Sequence, residues 1–430
     1  MSSPPPAARG LTTPPADIDP RRHLLLSIGA ALLSGGLPAG DVEDELCGLG
    51  PAIGAPDVRV AAWSTGLFLS MSRDDGAVFE PAGQMLRFEQ TSDILKLVNR
   101  IRTRRLGVDG ALRELTEIRE ERPRWPGWVA DLGGLAVGLG LCLLLQPGVG
   151  NLVFAAVGSL VVALLTTLVR RWRTLRPLLP VASSFLVSLI VLGAFHAGWL
   201  DGPLRTIVAV LAILLPGSAL VTGLTEIASG AAAAGTSRLV SGIVQLALFI
   251  VGLVGAAAVT GTHLSALSDV QVVHHGWWAP CLGVALATLG LIINVYSPPE
   301  HTLSIVAVVV VASAVQITLN ITHGAAIGGL AGAVAAAVAA TLVSWIPGGP
   351  AWRITYVPAF LIVAPGSFGL LNASQIEVGT GAAASLLTAL SAVFGIAIGT
   401  LIGAVICRAS DRATRALPLP EQTTDWSAGP

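Results

Sequence analysis

The chain has 430 residues, 53% of them hydrophobic and only 12% charged, with a mean hydropathy of +0.75, 49 glycines and a formal net charge of −1. That balance excludes a single soluble domain, and the near-neutral charge excludes a strongly basic nucleic-acid binder. Seventeen of the 26 acidic residues precede Trp125 and six fall between Trp128 and Ile406, so the chain divides into a soluble N-terminal part and a membrane part.

Residues 1–20 are rich in Pro, Ala and Ser, lack an apolar core, and read as a disordered tail rather than a signal peptide. Residues 21–126 read as an α/β domain on the cytoplasmic side. RRHLLLSIGAALLSG predicts a helix stopped at Gly35-Gly36, and Ala39–Leu49 a second one. Strand-like runs at Val58–Trp63, Leu67–Ser72, Ala77–Glu80 and Met85–Glu89 are separated by Ser-Thr-Gly, Asp-Asp-Gly and Pro-Ala-Gly turns. Asp93 is placed to cap a third helix carrying Ile94, Leu97, Val98 and Ile101, and Asp109 starts a fourth. The acidic group Asp41, Glu43, Asp44 and Glu45 has no His or Cys at matching spacing and reads as a solvated helix start. Arg100, Arg102, Arg104 and Arg105 fit a face toward anionic headgroups, and Trp125 and Trp128 fit the interfacial belt. Cys47, Cys142, Cys281 and Cys407 stand singly and read as small core hydrophobes; no metal or cofactor is implied.

Ten segments then have the length to span a bilayer: Trp128–Leu145, Asn151–Val169, Leu178–Trp199, Leu204–Thr222, Leu239–Thr260, Trp277–Tyr296, Leu303–Leu319, Gly324–Val343, Ile354–Leu371 and Gly381–Ile406. They form two sets of five, residues 127–260 and 277–407, followed by a tail at 408–430. Arginine sets the orientation. With the N-terminal domain inside, the inner connections carry Arg170, Arg171, Arg173, Arg176, Arg238, Arg353, Arg408, Arg412 and Arg415 against Arg205 alone outside, which predicts a multi-pass inner-membrane protein with both termini cytoplasmic.

Two spans carry the same interruption. LAILLPGSALVTGLTEI breaks at Pro216-Gly217-Ser218, and LIVAPGSFGLLNASQI at Pro365-Gly366-Ser367. Proline removes a donor and clashes with the preceding turn, so such a break survives at membrane depth only where it lines a cavity. The breaks fall in the fourth and ninth spans, an odd offset, and so predict a 5+5 inverted repeat with discontinuous helices meeting near the midplane. Ser218, Thr222, Ser367 and Asn372 are candidates to line a solute path. Glu226 is the first candidate for a coupling carboxylate, and Asp131, three residues inside its span, the second. His196, His263, His274, His275 and His323 read as solvated outer ends.

The stretches SGGLPAGDVEDELCGLG, STGLFLSM, LLPGSALVTGLTEIASG and VPAFLIVAPGSFGLLNAS resemble the threonine/serine exporter family over roughly Leu24 to Ile406. The resemblance implies a secondary transporter that exports small hydroxylated amino acids at the expense of a proton gradient, with a cytoplasmic domain fused to ten spans. Its partners would be the amino acid, protons and the lipid bilayer, without nucleic acid; a homo-oligomeric state stays open. Two alternatives stand beside it: a membrane-embedded hydrolase, against which the chain has no GxSxG elbow and no HExxH helix, and a channel with a regulatory domain. Lys96, the one lysine, sits in DILKLVNR without a glycine-rich loop, so ATP is not held by a P-loop.

Overall fold

A computed structural model describes residues 19–263, 278–323, 325–346, 349–350, 352–367, 398 and 401–402. The chain separates into two compact units, Met1–Leu303 and Ser304–Pro430.

The first unit opens with helix α1 (Pro20–Ser34), whose start is set by Asp19: its carboxylate accepts the Arg21 N–H at 2.9 Å. Gly35 closes the helix and Gly36, at φ 81°, turns the chain as only glycine does readily. Helix α2 (Ala39–Leu49) follows, then an antiparallel sheet in the order β1 (Arg59–Trp63), β2 (Gly66–Ser70) and β3 (Val78–Pro81). Ala61 pairs with Phe68 and Phe68 with Phe79. Helices α3 (Phe88–Arg102) and α4 (Val108–Glu120) complete the domain. Leu24, Leu25, Ile28 and Leu32 of α1 are fully buried against Leu46, Leu67, Leu69, Ile94 and Leu97, so α1 is the central element of this core.

The fourth predicted strand is absent. Met85–Glu89 runs into α3, which begins at Phe88 rather than at Asp93, because the Gln90 side chain accepts the Arg87 N–H at 3.1 Å and supplies the cap. The cysteines also differ from expectation: Cys142 is buried, whereas Cys47 and Cys281 are exposed.

The membrane part of this unit holds α5 (Gly127–Leu145), α6 (Val149–Arg171), α7 (Leu179–His196), α8 (Pro203–Leu211), α9 (Gly217–Ala228), α10 (Ala232–Thr260) and α11 (Trp278–Asn294). On α6 the apolar residues Val153, Val157, Leu160, Leu164 and Leu168 are exposed along one stripe, while Asn151, Ala155, Ser159 and Val162 face inward, as expected of a helix between lipid and protein. The second unit contains α12 (Thr302–His323), α13 (Ala325–Ser344) and α14 (Trp352–Ser367), with α12 held to α14 by the Gln316 side-chain amide on the Val363 carbonyl at 2.7 Å.

Among the described residues, six helices are long and apolar enough to cross a membrane, or seven if the bent pair α8 and α9 is one span; α11 and Ile354–Val363 are shorter apolar helices. The predicted tenth span lies largely outside the described residues.

Helices α5 and α11 cross antiparallel with backbones in direct contact. A Cβ on Gly133 would lie 2.6 Å from the Gly290 carbonyl oxygen and 2.8 Å from the Asn294 nitrogen; one on Gly283 would lie 2.6 Å from the Gly140 oxygen and 3.0 Å from the Leu144 nitrogen. Gly140 meets the Ala287 nitrogen as Gly290 meets that of Val137. Each contact has its reciprocal, the signature of a local two-fold axis perpendicular to both helices.

Candidate functional site

The break in the fourth span has the predicted place and a resolved geometry. After α8 a single 3-10 turn (Ala212–Leu214) ends in Leu215, which is extended at φ −66°, ψ 138°, as the residue before a proline prefers. Pro216 then caps α9, and the two segments meet at 64°. The bend leaves the Leu214 carbonyl without a helical partner, and the Gln245 side-chain amide of α10 donates to it at 3.0 Å. Pro216 and Gly217 are buried. From the break, Ser218, Thr222 and Glu226 follow at four-residue spacing and form one polar stripe down α9. Ser218 is exposed, Thr222 half-buried and Glu226 only 1% exposed.

Glu226 stands at the end of α9 that meets the N-terminal domain. Ten residues at 1.5 Å each place it about 15 Å from Pro216. Its Oε1 accepts the backbone N–H of Ala39, the first residue of α2, at 2.9 Å. Its Oε2 lies 3.2 Å from Arg238 Nε of α10, and Arg238 Nη2 donates to the Leu37 carbonyl at 3.1 Å. No side chain of its own segment caps α2, because Pro38 holds the N-cap position; the carboxylate of Glu226 meets that helix start across 187 positions of sequence. Gly223 and Gly235 allow the approach of α9 to α10: a Cβ on Gly223 would lie 2.8 Å from the Gly235 oxygen.

Asp131 belongs elsewhere. It pairs with Arg170 and accepts the Thr167 hydroxyl at 3.3 Å, joining the start of α5 to the end of α6 with Arg170 half exposed. Both of these partners lie on α6, whereas those of Glu226 lie on α2 and α10.

The second predicted break differs from the first. Helix α14 continues through Pro365 and Gly366 to Ser367, and Ala364 keeps helical backbone where Leu215 is extended. A proline forfeits its own N–H but leaves earlier helical bonds intact, so the Pro-Gly-Ser motif alone does not fix where a helix stops. Asn372 lies outside the described residues.

Sequence reasoning did not single out Arg238 or Gln245 as partners. Gln245 had a signal, as the one amide inside Leu239–Thr260, and Arg238 only its place in the short connection after Glu226.

At the opposite end of these helices Asn151 donates to the Asp201 carbonyl at 2.6 Å and to the Thr206 hydroxyl at 2.8 Å, and Arg205 to the Leu145 carbonyl at 3.0 Å. His196 bonds Thr262 at 2.8 Å. These contacts staple loops to helix ends and leave Glu226 as the one buried carboxylate among the described residues.

The model of the threonine/serine exporter family, ThrE, matches residues 23–260, which takes in the N-terminal domain, the break and all of α5 to α10. No curated protein and no solved structure matches the chain. With more than half of its length matched, and with several helices suited to crossing a bilayer, this multi-pass membrane protein belongs to the threonine/serine exporter family.

Proposed function

We propose that the chain is a proton-coupled secondary transporter that exports threonine- or serine-like amino acids across the cytoplasmic membrane, with its N-terminal domain on the cytoplasmic side. The observation that carries this reading is the broken span itself: an interrupted helix from which a polar stripe leads to a single buried carboxylate. Free amides at a half-helix start attract a solute carboxylate, and the Ser218 and Thr222 hydroxyls suit a hydroxylated side chain. Glu226 is the coupling group. The charged neighbours on the elements packed against it are Arg238 of α10 and Asp41 in the first turn of α2. Proton uptake by Glu226 would dissolve the ion pair with Arg238, so that protonation and solute movement alternate.

Architecture supports the 5+5 inverted repeat as part of this reading. Trp128, Leu132, Gly133 and Gly140 of α5 recur as Trp278, Leu282, Gly283 and Gly290 of α11 at a constant shift of 150 positions, and Pro216-Gly217-Ser218 recurs as Pro365-Gly366-Ser367 at a shift of 149. The reciprocal glycine contacts of antiparallel α5 and α11 are of the kind that the first members of two inverted halves would make, which supports this reading.

Counterflow tests the substrate. In proteoliposomes preloaded with unlabelled threonine, labelled threonine should enter faster than into protein-free vesicles, with serine competing and leucine or glutamate not. Equal competition by all four would remove the assigned substrate class, and product formation would favour the hydrolase.

A further inference from the structure

The N-terminal domain touches the membrane helices of its unit at two places of different chemistry. At the first, backbone meets backbone: the Phe88 and Glu89 N–H groups at the start of α3 donate to the Val295 and Tyr296 carbonyls after α11, at 3.3 and 3.1 Å, and Lys96 pairs with Glu300 at 2.5 Å. A helix start and a helix end satisfy each other there, which makes a firm pivot. At the second, the contacts are made by side chains: Glu226 on the Ala39 N–H, Arg238 on the Leu37 carbonyl, and Ser64 on Ser237 with oxygens 3.0 Å apart. Ala234 of α10 is itself part of the domain's apolar core. The polar stripe of α9 ends beneath α2, and Glu226 is 1% exposed at that end.

Resting on the exporter reading, we propose that the N-terminal domain is the inner gate of the transport path, pivoting at α3 and α11 and latched over the end of α9 by Glu226 and Arg238. A solute passing along the stripe meets α2 before it meets solvent on that side. The latch suits release: beside the small apolar contact of Ala234, its polar parts are one carboxylate, one guanidinium and one pair of hydroxyls, which exchange partners with water or with a zwitterionic solute more readily than a backbone ladder does.

A reversible cross-link tests the gate. With the exposed Cys47 and Cys281 replaced by serine, Ser64→Cys and Ser237→Cys together place two thiols within reach of a disulfide. Oxidation should lower threonine counterflow at least ten-fold and reduction restore it, while each single variant is unaffected by oxidant. Hydrogen exchange of residues 217–228 reads the opening without any substrate, and should slow in the oxidised protein and recover on reduction. Unchanged counterflow and unchanged exchange in the fully cross-linked protein would overturn the gate, as would failure of the pair to cross-link. Exchange that responds to the lock in a protein without threonine counterflow would uphold the gate and count against the assigned solute.

Discussion

Glu226 is the residue on which the proposed coupling rests. Burying a carboxylate is costly unless it is paired and hydrogen-bonded, and here the Ala39 N–H and the Arg238 guanidinium meet that demand. Glu226→Gln keeps an oxygen for Ala39 but gives up the charge facing Arg238. Transport measured as exchange should persist in this variant while its response to an imposed pH gradient disappears; a response equal to the parent's would assign Glu226 a structural role only. Glu226→Ala takes the acceptor from the Ala39 N–H and the counter-charge from Arg238, which among the described residues keeps only its bond to the Leu37 carbonyl, and should cost about 3–5 kcal/mol, read as a lowered Tm in detergent. Asp131→Asn should do little to either quantity, since its pair with half-exposed Arg170 is of the kind worth under about 1 kcal/mol. Glu226 was legible in the sequence because an acidic residue inside an apolar run is expensive. Its partners were not, because a helix start capped from 187 positions away leaves no local pattern.

At the scale of elements, the break and the α5–α11 crossing make separable predictions. Gln245→Leu removes the donor to the part-buried Leu214 carbonyl and should destabilise by about 1 kcal/mol, with the Tm as readout. Gly140→Ala would push a Cβ to 2.4 Å from the Ala287 nitrogen, a backbone atom that cannot step aside, and should lower the Tm sharply; Gly193→Ala on α7 meets nothing within 4 Å and should be neutral or slightly stabilising. Where α3 docks after α11, the hydrogen bond from Lys96 holds the Glu300 carboxyl below its ordinary value of 4.5. A depressed carboxyl stabilises above the unfolded value and loses that contribution as pH falls, so this contact should hold at pH 6 and loosen below about 4.5, visible as faster hydrogen exchange at the start of α3. The sequence located the first break because proline and the extended residue before it act locally. It read a break at the second, where the same three letters sit within helix, and it read Met85–Glu89 as strand because the Gln90 cap lies just beyond that window.

At the scale of the whole molecule, most helices are set by apolar length alone, and the starts and ends of α5, α6, α7 and α13 fall within a few residues of the predicted spans. Apolar length does not reveal how the helices group: α11 packs on α5 through glycines that are far apart in sequence, and the first compact unit extends to Leu303 rather than ending after five spans. Nor does hydropathy show that the N-terminal domain is bonded to α9, α10 and the end of α11, since those contacts are single polar groups at helix ends. The domain, the break and the buried carboxylate form one continuous arrangement, and proton-coupled export of a small hydroxylated amino acid is the claim that unites them. Inside-out vesicles carrying the protein, with an acid-inside proton gradient imposed, should accumulate labelled threonine above its external concentration and release it when a protonophore collapses the gradient. Threonine and serine levels no higher than in vesicles lacking the protein would contradict the export, and accumulation indifferent to the protonophore would contradict its coupling to protons.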